Sequence, residues 1–130
     1  MAKSRLSPKT RMAYVNKAKP ILIAIAKQRT VITYDDLMSK LGGPGRGYIG
    51  EVLGTIVDAE IKAGRPKLSA VVVHTYGGLV GGGFFGFPNT PANVRRSTPE
   101  EQQRSALTPA EKAYWRSELA KLYEYWGNQP

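Results

Sequence analysis

Six of the fourteen glycines in this chain fall between positions 77 and 86, in the run Gly77-Gly78-Leu79-Val80-Gly81-Gly82-Gly83-Phe84-Phe85-Gly86. Glycine inside a helix or strand costs about 0.5–1 kcal/mol relative to alanine, because it gives up the most backbone freedom. A segment this dense in it has to turn. Apolar runs of strand character flank the turn: residues 68–75, rich in valine, and residues 83–87, carrying Phe84, Phe85 and Phe87. The pattern predicts a β-hairpin whose tip is Gly77-Gly78-Leu79-Val80-Gly81-Gly82.

The chain before this hairpin is helical in period. Ser7-Pro8 is a helix start, with serine as the cap and proline in the first turn. Met12, Val15, Ala18, Leu22, Ile25 and Ala26 then recur at helical spacing, and Pro20 predicts a kink or a break into two helices. Residues 29–32 are extended. Thr33 with Asp36 three residues on caps a short helix over residues 34–41, which ends in Gly42-Gly43-Pro44-Gly45. A third helix runs from Gly47 or Tyr48 to Ala63 on the apolar stripe Ile49, Val52, Leu53, Ile56 and Val57. After the hairpin, residues 88–107 turn polar and read as a surface connection. Thr108-Pro109 then opens a last helix, whose stripe Trp115, Leu119, Leu122 and Trp126 is one buried face.

Helix, short strand, helix, helix and hairpin is the order of a winged helix-turn-helix. The expected fold is α+β: a winged helix-turn-helix core with a β-hairpin wing and an added C-terminal helix. At 130 residues the chain is one domain in size. It divides into a basic N-terminal arm (1–7), a winged-helix domain (8–88), a connecting segment (89–107) and a C-terminal helix packed on the core (108–126).

Charge is concentrated at one end. The first 29 residues hold eight basic side chains and no acidic one, whereas the rest is nearly balanced and the total is +9. Such clustering favours a polyanionic partner through counterion release. Lys3 and Arg5 lie in the arm, Lys9, Lys17, Lys19 and Lys27 share about half of the first helix's circumference, and Arg11 and Arg29 lie toward its ends. With no cysteine, disulfides, thiolate metal sites and cysteine nucleophiles are excluded, and His74 alone does not build a histidine site. The apolar run 21–26 is too short for a membrane span or signal core, so the expected location is cytoplasmic. Glu51 and Asp58 read as a solvated helix face, Arg95-Arg96 as an exposed loop pair, and Trp115 and Trp126 as core. The glycine-rich tip reads as a flexible turn more than as a phosphate cradle.

Three stretches resemble a known family. Ile32-Thr33-Tyr34-Asp35-Asp36-Leu37, Ile49-Gly50-Glu51-Val52-Leu53-Gly54 and Val72-Val73-His74-Thr75-Tyr76-Gly77 are similar to segments in the C-terminal winged-helix domain of alkyltransferase and alkyltransferase-like DNA-repair proteins. The resemblance covers residues 10–80. It implies a DNA-binding domain in which Tyr34 presses on a DNA phosphate. Arg46, about one position out of register, would approach the base stack during nucleotide flipping. The resemblance also places Ser69 where that family has its reactive cysteine or the tryptophan that replaces it. The family's Pro-x-His-Arg is absent, with Leu68, Ala70 and Val71 in those places. A serine hydroxyl with no base beside it does not accept an alkyl group as a thiolate does, and the sequence gives no support for a flipped-base pocket.

The expected function is that of a non-catalytic DNA-binding protein. It would contact mainly the phosphates of duplex DNA, with weak sequence preference, through Lys3, Arg5, Lys9, Arg11, Lys17, Lys19 and Lys27, supported by Tyr34 and Arg46. The alternative is a protein–protein interaction module, an inhibitor or adaptor on the same scaffold, using the acidic face of the third helix or the aromatic last helix. No enzyme activity, cofactor, metal or membrane partner is expected.

Overall fold

The computed structural model describes residues 5–104 and 106–129. Helix α1 (Pro8–Lys27) starts as its sequence requires: Ser7 Oγ accepts the Thr10 amide at 3.2 Å, and Pro8 occupies the first turn. First-turn amides have no acceptor within the helix, so a serine oxygen helps there and a proline leaves nothing unmatched. The division expected at Pro20 does not occur. α1 runs through it, because Pro20 faces solvent while Val15, Ala18, Leu22 and Ala26 on the other side are held in the core.

Strand β1 (Ile32–Thr33) leads straight into α2 (Tyr34–Leu41), where Thr33 Oγ1 accepts the Asp36 amide at 3.1 Å. Gly42, at φ 75°, ends α2, and four residues later α3 (Arg46–Lys62) begins. α3 buries Ile49, Val52, Leu53, Ile56 and Val57, the stripe its period predicts. Strand β2 (Val72–Val73) pairs parallel to β1, with Ile32 opposite Val72 and Thr33 opposite Val73. The result is an α+β fold, mostly helical, with a two-stranded parallel sheet.

The predicted hairpin is largely replaced. Leu68–Val71 and Gly82–Gly86 form 3₁₀ turns, and the antiparallel element is one bridge between Val73 and Val80. The cause lies in the burial pattern. A strand sends alternate residues to opposite faces, yet Phe84 and Phe85 are adjacent and both buried, and every residue from Leu68 to Val73 is buried. Tight 3₁₀ turns let neighbouring side chains reach one core.

The segment 88–107 is more than a surface connection. It contains α4 (Pro99–Gln103) and buries Thr90, Val94, Arg96 and Leu107. Helix α5 (Pro109–Gly127) follows, capped reciprocally by Thr108 and Glu111. Trp115 is core, as its spacing predicts, and its indole N–H donates to the Ala70 carbonyl at 2.8 Å. The expected arm is held at its base, since Leu6 packs on the core and its amide donates to Glu51 Oε1 at 3.3 Å. No helix among the described residues is long and apolar enough to cross a membrane.

Candidate functional site

Where α3 meets the Gly82–Gly86 turn there is a cavity of about 310 Å³, lined by Tyr34, Leu53, Ser69, Phe84, Phe87 and Gln102. A more open groove of about 590 Å³ shares Tyr34, Gly50, Gly83 and Gln102 with it and adds Arg46, His74 and Arg104. The sequence gives no support for a pocket here, and the structure has one. Cavity and groove together are a partly aromatic recess behind a cationic mouth.

The recess holds two features that nothing inside the molecule accounts for. Ser69 is only 8% exposed, and its Oγ is buried without a hydrogen-bond partner. An unmatched buried hydroxyl costs about 1–3 kcal/mol, which a ligand acceptor or donor would recover. Along α3, Gly47, Gly50 and Gly54 lie on one side of the helix, and a Cβ at any of them would meet no atom within 4 Å. Internal packing therefore does not require these glycines. Gly50 and Gly54 leave helix backbone open where the cavity and groove run.

The mouth favours anions. Gly45 caps α3 without a side-chain bond, and no acidic residue lies in the first turn. The partial positive charge of the helix start is therefore offset by no carboxylate of its own first turn. Arg46 meets Asp35 Oδ1 at 2.8 Å, and the Thr75 hydroxyl donates to Asp35 Oδ2 at 2.6 Å. The Thr75 hydroxyl first, then Arg46, holds the Asp35 carboxyl below its usual range. Such an exposed ion pair is weak, because solvent screens it, so a phosphate can displace it. Tyr34 is half-buried with its ring 5.2 Å from that of His74, and burial pushes its hydroxyl pKa up.

Arg96 positions the far wall. Expected in an exposed loop, it is 1% exposed. It grips Glu111 at 2.7 and 2.9 Å and donates to the carbonyls of Glu101, Arg104 and Ala106. All five guanidinium donors are used. The Arg96 carbonyl accepts from Gln102 Nε2 at 3.0 Å, so this anchor carries Gln102 and Arg104 to the groove. A Cβ at Gly82 would overlap the Gln102 carbonyl, which fixes glycine there for close packing rather than mobility.

Lys67 stands behind the cavity wall, 2% exposed. Its ammonium donates to Thr90 Oγ1 at 3.2 Å and Tyr114 OH at 3.0 Å, and lies 5.1, 5.6 and 5.4 Å from the rings of Phe84, Phe87 and Tyr114. Burial pushes its pKa down to about 8, against an opposing pull from Glu118. Burial likewise pushes the Tyr114 hydroxyl up to about 12. Sequence reasoning passed over Lys67 and read Arg96 as an exposed loop charge, because a cation looks the same in sequence whether exposed or buried.

The basic residues of the N-terminal segment do not form one free surface. Arg5 and Lys9 are exposed, and Lys27 is exposed at the end of α1. Lys17 is committed to the Leu41 carbonyl at 3.1 Å, and Lys19 to the buried Glu60 at 3.3 Å, a carboxylate that also pairs with Arg65. Arg11 is half-buried with its Nε shielded. Lys3 lies outside the described residues. Of the expected cationic face of α1, Lys19 is thus paired with a buried carboxylate, whereas Lys17 is exposed and keeps its charge while donating to a carbonyl. On α3, Glu51 is likewise half-buried under Leu6 rather than part of a solvated face.

No protein-family model, curated protein or solved structure matches this chain.

Proposed function

We propose that this chain is a non-catalytic DNA-binding protein of winged-helix type that lays the DNA backbone across the mouth of the groove. The observation that carries the reading is the pairing of a cationic, uncapped α3 start with a recess that nothing internal fills. Arg46 and Arg104 meet phosphates, as does the helix start, while Arg5 and Lys9 extend the contact along the flank where Leu6 joins Glu51. The cavity behind has aromatic walls and two polar groups, Ser69 and Gln102, suited to the edge of a base turned out of the stack. The resemblance to alkyltransferase-like domains points the same way. Ser69 has no neighbouring base, so binding without alkyl transfer is the consistent form.

The test is fluorescence anisotropy of a labelled duplex over a salt series, with wild type and the Arg46→Ala/Arg104→Ala double variant. Wild type should bind with a steep salt slope, and the variant should flatten it by about 0.9 for each phosphate it no longer neutralises. Absence of binding at low salt would overturn the reading and leave a protein partner as the function of the scaffold.

A further inference from the structure

Among the described residues, Tyr76 is the most exposed large hydrophobic side chain, at 90%. It does not hang on a loose loop. The His74 amide donates to the Leu79 carbonyl at 2.9 Å, Val73 bridges Val80, and Leu79 packs on the core. Gly77 and Gly78, at φ 90° and 65°, make a reversal that other residues adopt with strain. The Thr75 hydroxyl ties the turn to Asp35, and Asp35 holds Arg46 at the start of α3. His74 and Arg46 both line the groove. The turn therefore presents an aromatic ring in water, on a braced support, two positions from the groove-lining His74.

We propose that Tyr76 is a base-stacking residue that gives the groove a preference for DNA with an unpaired base. This rests on the DNA-binding reading. Aromatic rings so exposed gain from any exposed base face regardless of sequence. Phosphates held by Arg46 and the α3 start would bring the adjoining bases to the turn. A fully paired stack offers few free base faces, whereas a bulge or a mismatch offers one.

The experiment compares wild type, Tyr76→Ala and Tyr76→Phe on two duplexes, one fully paired and one with a single bulged 2-aminopurine. Tyr76→Ala should weaken binding to the bulged duplex by on the order of tenfold while changing the paired duplex little. Tyr76→Phe should keep wild-type affinity, and binding should quench 2-aminopurine for wild type and Tyr76→Phe but not for Tyr76→Ala. A folded Tyr76→Ala protein that binds and quenches like wild type would overturn the stacking role and leave DNA binding standing. If wild type binds neither duplex, the DNA reading fails and the stacking role falls with it.

Discussion

Lys67 shows what a single buried charge does to this fold. Its ammonium has aromatic faces and two hydroxyl groups for company, with no carboxylate in direct contact among the described residues. Its folded pKa of about 8 lies below the ordinary lysine value of 10.5. Below pH 8 both the folded and unfolded chains carry the proton, and the cost of burying the charge is fully present. Between about 8 and 10 the unfolded chain binds more protons than the folded one, so stability rises with pH. The slope should approach, and not exceed, about 1.4 kcal/mol per pH unit. Above pH 10 the raised Tyr114 acts in the opposite sense, since the folded state then keeps a proton that the unfolded state releases. Urea unfolding at pH 7 to 10 should show this gain in wild type, and Lys67→Met should abolish it. A pH-independent wild type would mean that Lys67 is not desolvated as its cage implies.

Helix α3 contains a test of whether its open glycines serve stability or contact. Nothing lies within 4 Å of a Cβ at Gly50 or Gly54, so alanine fits at either. Each substitution should stabilise the protein by about 0.5–1 kcal/mol, since helix propensity favours alanine and no packing opposes it. The same substitutions should weaken DNA binding, because their methyl groups enter the recess. Denaturant midpoints and anisotropy on the same variants check both signs, and a gain in both would remove α3 from the interface. At this scale the sequence was informative where local chemistry decides. Ser7, Thr33 and Thr108 each cap the helix they were expected to cap, and the α3 stripe is buried as its period requires, whereas in α5 Trp115 and Leu122 are buried and Leu119 and Trp126 only half-buried against the core. It was uninformative where a residue's environment comes from distant chain. Arg96 looked like a loop charge because Glu111 is 15 positions away, and residues 83–87 looked like a strand because their joint burial is a tertiary fact. Ser69 was found only as an aligned position, since its solitude depends on α3 and the glycine turn together.

Across the whole molecule, the count of 19 basic side chains overstates the number available to a partner. Glu60 is fully buried between α1 and the residues after α3, and Lys19 and Arg65 neutralise it there. Removing Lys19 leaves a buried carboxylate with one partner fewer, a change that acts mainly on folding. Arg5 and Lys9 are exposed and pair with no carboxylate seen among the described residues, so removing them should act mainly on long-range attraction. The two kinds of basic residue are therefore separable. Lys19→Ala should lower the unfolding midpoint while leaving the salt slope of DNA binding close to that of wild type under folded conditions. Arg5→Ala/Lys9→Ala should leave the midpoint within about 0.5 kcal/mol of wild type and flatten the slope by up to about 1.8 in log–log units. Thermal unfolding paired with a salt titration reads both. If Lys19→Ala flattened the slope as much as the Arg5/Lys9 pair, the Glu60 cluster would open on binding and all of α1 would face the DNA.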